Sequence, residues 1–284
     1  MEDPQIIQQL CHLPQSHDIL PCERGELLFL KAFEEALQIS EISQEYLSGK
    51  RVGIFLGTSL SGFTKLEREY TANIRESRQM SIRSFLVFPI HIVADRLAFE
   101  YRLRGPRFVF STACSASLHP VIWGKSFLET GEIDVAVIGG TDPLSLISMA
   151  GFSSLRSVAK KSASPFSATD PGISVGEGAG VLILEREHDF LARNGKNYFG
   201  VLAGCAGTAD AYHPTASDPT GLSIRECIAG AVSQIPELNS RKIYLAAHGT
   251  GTLHNDIVET RAIKQISNFS KLKVSSVKGA IGHT

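Results

Sequence analysis

A chain of 284 residues that is 43 % hydrophobic holds ample apolar material for one large or two ordinary domains. Its formal net charge is −1 with the charges scattered, and its longest basic cluster, Lys160-Lys161, is too short for a nucleic-acid-binding stripe. No run of about 18 apolar residues supports a membrane span, and the polar, acidic stretch Met1 to Gln9 is not a secretory leader, so a cytoplasmic setting is expected.

Residues 1–23 are polar, carry Pro14 and Pro21, and read as an irregular lead. From Arg24 an apolar stripe through Leu27, Leu28, Leu30, Phe33 and Ala36-Leu37 has the period of about 3.6 that predicts a helix. The β-branched run Arg51–Gly57 predicts a buried strand, and helices are expected over Thr64–Glu76 and Phe88–Tyr101. Strands follow at Arg107–Ser111, Asp134–Gly140 and Gly180–Glu185, the last two with the continuous apolar character of strands covered on both faces. The pattern then repeats: a strand near Tyr198–Cys205, a helix near Leu222–Val232, a strand at Lys242–Ala247, a helix over Asp256–Ile266 and a strand at Lys271–Ser275. Strands alternating with helices imply an α/β fold with a largely parallel sheet. The Ser-, Gly- and Pro-rich segment Lys160–Gly180 is the longest interior loop, equally a site cover or a surface connection.

Five cysteines (Cys11, Cys22, Cys114, Cys205, Cys227) at irregular spacing, with no C-x-x-C, argue against zinc and disulfide frameworks and for a reduced compartment. Four of them read as inert apolar fillers. Cys114 differs, because the run Ser111-Thr112-Ala113-Cys114-Ser115-Ala116-Ser117 takes a strand directly into a helix that tolerates Pro120 in its first turn. Small neighbours let a substrate approach, and a helix N-terminus favours thiolate and can hold an oxyanion. Taken alone, the same placement suits a buried structural thiol equally well.

Two histidines stand out from the nine. His248 ends an apolar run and precedes Gly249-Thr250-Gly251-Thr252; His283 lies in Gly282-His283-Thr284. Both are expected at C-terminal ends of strands, where open α/β sheets place ligands. Lys278 is expected to reach the same cleft, with Glu259 on the following helix as its partner, although a surface ion pair of under about 1 kcal/mol is the plainer reading of that pair. Cys, His and His could also ligate a metal, but no closely spaced pair supplies a framework, so no metal is expected.

Together these motifs resemble the β-ketoacyl synthases of the thiolase superfamily. The resemblance runs from about Arg24 to Thr284 and rests on Gly105-Pro106, Thr112-Ala113-Cys114-Ser115, Gly139-Gly140, Ser164-Pro165-Phe166 and Gly176-Glu177-Gly178-Ala179-Gly180. It continues through Asp210-Ala211-Tyr212-His213, His248–Thr252, Lys278 and Gly282-His283. It implies a thiolase-like fold: two similar α/β halves in an αβαβα layering, here an N-terminal half at 24–196 carrying the nucleophile and a partial C-terminal half at 197–284 carrying the histidines. The Cys-His-His set points to the elongating type. By resemblance, Cys114 takes an acyl chain from a phosphopantetheine thioester, and His248 and His283 stabilise, as neutral N–H donors, the enolate left when a malonyl thioester loses CO₂. Lys278, with Glu259, holds the histidine network, and Thr250 and Thr252 bind the pantetheine arm.

No metal or redox cofactor is implied; the partners are an acyl carrier protein, its acyl and malonyl thioesters, and a like or related subunit in a dimer. Two departures fall in the long loop: Ser167 where the family has Asp, and Ile173 where an aromatic is usual. Met149 is expected either to line an acyl tunnel or, more commonly, to fill core. The family pattern also has a strand ahead of residue 24 and a further Gly-rich loop beyond its Gly-His loop, so the chain is expected to lack both ends and to have little activity alone. A non-catalytic partner subunit of the chain-length-factor type, an inactive fragment, and a Cys/His hydrolase are the competing readings; the last leaves His283 and Lys278 without a role.

Overall fold

The computed structural model describes residues 22–213, 215–235, 242–266 and 272–284. Nearly all of the expected irregular lead, with Cys11, lies outside them. In chain order the elements are α1 (Arg24–Ser40), α2 (Gln44–Ser48), β1 (Val52–Gly57), α3 (Phe63–Glu76), α4 (Ile82–Val87), α5 (Ile92–Tyr101) and β2 (Arg107–Phe110). A 3₁₀ turn at Ala113–Ser115 follows, then α6 (His119–Glu129), β3 (Val135–Asp142), α7 (Leu146–Ser154), β4 (Gly178–Glu185) and α8 (Glu187–Ala192). The last are α9 (Leu222–Val232), β5 (Ile243–Ala246), α10 (Leu253–Ile266), β6 (Leu272–Ser275) and α11 (Lys278–Ile281). They gather into two compact units, one of Met1–Ser145 with Gly178–Phe199, the other of Leu146–Glu177 with Gly200–Thr284.

The first unit is built on a four-stranded sheet in the order β2-β1-β3-β4. β1 is central and fully buried, parallel to β2 and β3. Its residues alternate between two cores, as the two-residue period of a strand requires. Ile54 and Leu56, with Val135 and Val137 of β3, face Phe29, Leu30 and Phe33 of α1 and Leu97 of α5. Phe55, with Ala136 and Ile138, faces Leu128 of α6. Each such side chain contributes about 1.5–3 kcal/mol on burial, and the double cover explains the unbroken apolar runs.

Three sequence expectations need correction. β4 pairs antiparallel to β3 and is half-buried, with Leu182 55 % exposed, so its apolar run marks one covered face and not two. The helix expected over Phe88–Tyr101 begins only at Ile92, after a separate helix that ends at Val87, because Pro89 disfavours helical backbone at Phe88. No strand forms over the described residues 198–205. At its end Cys205 gives its carbonyl to Gln234 Nε2 at 2.8 Å and its N–H to Gln234 Oε1 at 3.4 Å, beyond the end of α9.

At the foot of the sheet Asp134 accepts from Arg51 Nη2 at 2.6 Å, Arg51 Nε at 3.1 Å and Arg186 Nη2 at 3.1 Å. The hydrogen bonds from Arg51, ahead of its charge, hold this carboxyl far below the usual range. A depressed folded-state pKa means that the unfolded chain binds more protons in acid. The contribution is therefore complete above the unfolded carboxylate pKa of about 3.9 and is lost as pH falls below it. Urea unfolding of the wild type at pH 5 and at pH 3 should show a larger acid loss than Asp134→Asn shows; equal losses would remove Asp134 from the acid response.

In the second unit β5 and β6 form a parallel pair in register from Ile243↔Leu272 to Ala246↔Ser275, and α9 packs on α10. Two isolated bridges, Val158↔Ile173 and Val175↔His283, order the long 156–177 segment. Met149 on α7 is 38 % exposed and so is not the core residue that its composition suggested.

Candidate active site

The nucleophile candidate belongs to the first unit. β2 ends at Phe110, and the chain turns through Ser111-Thr112 into the 3₁₀ turn that holds Cys114. Ser115 N–H bonds Thr112 O at 3.2 Å and Ala116 N–H bonds Ala113 O at 2.9 Å. Ala113, immediately before the cysteine, has φ 49°, a left-handed conformation costly for a residue with a Cβ. Cys114 thus sits on the turn between strand and helix, with Pro120 in the first turn of α6; because α6 begins only at His119, the N–H groups beside the exposed thiol are those of the turn. The turn is clamped from below, because a Cβ on Gly57 would stand 2.2 Å from Ala116 O and one on Gly140 would stand 2.2 Å from Ser117 Oγ. Those strand glycines allow the backbone of residues 116–117 to rest directly on β1 and the Ser117 side chain on β3. At its side, His119 Nδ1 lies 3.1 Å from both Thr112 Oγ1 and Ser115 O.

The other candidates belong to the second unit. His248 follows β5, as expected, and its loop is held through the backbone. Glu259 on α10 accepts the N–H of His248 at 2.6 Å and of Gly249 at 2.8 Å. Ser276 Oγ donates to Gly249 O at 2.8 Å, and Gly249 has φ 37°. The structure thus gives Glu259 a task the sequence did not suggest: it fixes the direction in which His248 leaves the strand. The hydroxyls of Thr250 and Thr252 lie 2.9 Å apart, with Thr250 buried.

His283 does not end a strand. It follows the short α11 and is placed by its own backbone, with His283 N–H to Ser174 O at 2.7 Å and Gly176 N–H to His283 O at 2.8 Å. The His248 and His283 rings meet edge to face, with centroids 5.6 Å apart at 89°. Burial, then the charge of Lys278, then His283, push the His248 pKa down to about 4. At neutral pH this imidazole is therefore uncharged, with one N–H donor. His283 Nδ1 lies 2.8 Å from Thr284 O.

Sequence reading missed Asp256. Buried one turn before Glu259, it accepts from Phe166 N–H at 2.6 Å, Gly251 N–H at 3.2 Å and Asn255 Nδ2 at 3.1 Å. The spacing Asp256-x-x-Glu259 on the helix after a Gly-Thr-Gly-Thr turn is the signal that was available: two carboxylates at i and i+3 share a face.

Among the described residues no helix is long and apolar enough to cross a membrane. Residues 15–189 match the family described as Beta-ketoacyl synthase, N-terminal domain, and residues 199–284 its C-terminal domain. The ketoacyl synthase alpha subunit of the tetracenomycin polyketide synthase of Streptomyces glaucescens is 31 % identical over 279 residues, covering 92 % of this chain and 65 % of that one. The 3-oxoacyl-[acyl-carrier-protein] synthase 2 of Synechocystis is 33 % identical, covering 89 % of this chain and 63 % of that one. The chain thus spans somewhat under two thirds of the length of these relatives. Among solved structures, a β-ketoacyl synthase from Burkholderia phymatum superposes with a TM-score of 0.83 at 25 % identity over 92 % of this chain and 65 % of that one. A ketosynthase in complex with its chain length factor, from Xenorhabdus doucetiae, gives 0.81 at 28 % identity over 94 % of this chain and 67 % of that one. The fold is thiolase-like, and both halves of the sequence match in order: the chain belongs to the β-ketoacyl synthase family.

Proposed function

We propose that the protein is a condensing acyltransferase that extends an acyl chain by decarboxylative Claisen condensation. Cys114 attacks the carbonyl carbon of an acyl thioester; the S–C bond forms, and the carrier thiol leaves with the proton. A malonyl thioester then breaks its C–C bond to release CO₂, and the electron pair remains as an enolate. The enolate carbon bonds the acyl carbonyl carbon, Cys114 departs as thiolate, and a β-ketoacyl thioester results. One observation carries this reading: His248 is half-buried and neutral beside Lys278 and His283. A neutral donor at that position stabilises a developing enolate oxygen without first losing a proton to solvent. His283, whose ring meets that of His248 edge to face, shares the task through its own ring N–H. Lys278 favours the uncharged form of His248, Glu259 aims His248, and Thr250 and Thr252 receive the pantetheine amides.

The substrates in this proposal ride on phosphopantetheine of an acyl carrier protein, in a cytoplasmic setting and with no resident cofactor. A solved neighbour is a type II acyl-carrier protein in complex with its ketosynthase, which supports the carrier, and the chain-length-factor complex supports a paired subunit. The test is release of CO₂ from a malonyl-carrier thioester with formation of a β-ketoacyl product. His248→Ala should lower it by roughly 10²–10³-fold, the usual cost of one oxyanion donor. A His248→Ala protein that condenses at the wild-type rate would overturn the assignment.

A further inference from the structure

Phe166 in the second unit has φ 62°. A bulky residue rarely holds this conformation, which costs on the order of 1–3 kcal/mol unless its surroundings impose it. Two things impose it here. Its N–H donates to the buried Asp256 carboxylate at 2.6 Å, and its ring lies against Gly249, where a Cβ would come within 2.9 Å of Phe166 Cε2. The other oxygen of Asp256 accepts Gly251 N–H at 3.2 Å. Six residues further along the same loop, Gly172 N–H bonds Gly251 O at 2.9 Å, and a Cβ on Gly251 would stand 2.6 Å from Gly172 O. The 163–173 loop and the 248–252 loop are therefore joined by one carboxylate, one ring contact and one backbone bond, and His248 heads the second loop.

We propose that Asp256 is a positioning residue: by holding Phe166 in its left-handed conformation against Gly249, it couples the 163–173 loop to the His248 loop and sets the orientation and enclosure of the His248 ring. The proposal rests on His248 being a working group of the site and names a residue that governs it from outside. Glu259 holds His248 by its own N–H; Asp256 holds the wall that closes over the next residue. Removing the carboxylate frees Phe166 to relax to negative φ, and its ring then leaves Gly249.

The test uses the full chain with Asp256→Ala and Asp256→Asn, followed by amide hydrogen exchange and by NMR titration of the His248 imidazole. Asp256→Ala should speed exchange about tenfold or more in both loops, including His248 and Gly249, whose N–H groups bond Glu259 and not Asp256. The His248 midpoint should move up from about 4 towards the ordinary value of about 6.5 as water enters, with Lys278 and His283 still facing it. Asp256→Asn keeps one acceptor oxygen for Phe166 and should restore most of both signals. Faster exchange confined to Phe166 and Gly251, with the His248 signals unmoved, would overturn the coupling. Faster exchange that also reaches the buried amides of β1 and β3 would overturn it as well, because Asp256 would then be only a stability residue. None of these readouts needs condensing activity, so a failed synthase assay and a failed coupling are separate results.

Discussion

Replacing Cys114 with Ala is expected to remove the acyl adduct entirely and to lower β-ketoacyl formation by roughly 10³-fold or more, the scale seen when an enzyme loses its nucleophile. Among the described cysteines no other can take its place. Cys22 is pushed up by burial and then by the Glu26 charge, so it stays a thiol. Cys227 donates its S–H to Ala206 O at 3.3 Å, and both it and Cys205 are half-buried. Cys114 is exposed, on a turn whose small neighbours Ala113, Ser115 and Ala116 leave room for a thioester. Intact-mass measurement after incubation with an acyl-carrier thioester checks this: one acyl mass on the wild type, none on Cys114→Ala. Cys114→Ser separates chemistry from shape, since the hydroxyl keeps the turn but is a poor nucleophile without a strong base. An adduct that survives Cys114→Ala would place the nucleophile elsewhere. A folded wild-type protein that takes no adduct would favour the partner-subunit reading.

The parts of this site legible in the sequence are those that depend on local chemistry. The run Val52–Gly57 announces a buried central strand because every residue is apolar or Gly, and the structure buries all of them. The small-residue turn around Cys114 and the Gly-Thr-Gly-Thr turn after His248 were equally plain. What could not be read depends on partners distant in sequence. The direction of β4 is set by its pairing with β3, some forty residues earlier; periodicity carries no sign. The segment near Cys205 has strand composition, but it forms no strand, and the backbone of Cys205 itself bonds the Gln234 side chain. Glu259 was read as a partner for Lys278 because opposite charges invite pairing. It also makes short bonds to two backbone N–H groups, donors that a sequence does not advertise. His283 is expected at the end of a strand because it follows the apolar run Lys271–Ser275, whereas α11 and the bridge to Val175 deliver it.

Gly57→Ala is expected to damage both the stability of the first unit and the position of Cys114. The new Cβ would lie 2.2 Å from Ala116 O, 2.4 Å from Ala116 C and 2.6 Å from Ser117 N. All three are backbone atoms, so no rotamer change relieves the overlap. Gly57 sits at the end of the central strand, in register with Phe110 on one side and Gly140 on the other, so β1 cannot retreat without breaking two ladders. The turn must therefore move by about 1 Å, and Cys114 is two residues from the clash. Overpacking of this kind costs about 1–3 kcal/mol or more, and a displacement of that size at a reacting group costs on the order of 10²-fold in rate. Gly180→Ala is the matched control: it also lies in the sheet, paired with Gly140, but a Cβ there meets nothing within 4 Å. Gly140→Ala should fall between them, because its nearest contact is Ser117 Oγ, a side-chain atom that can turn away, although Ser117 Cβ at 2.8 Å cannot. Urea midpoints should rank Gly180→Ala above Gly140→Ala above Gly57→Ala, and the rate at which Cys114 accepts an acyl group should follow the same order. If Gly57→Ala acylates at the wild-type rate, the strand glycines do not set the position of the nucleophile, and the clamp beneath the turn has no bearing on its reactivity.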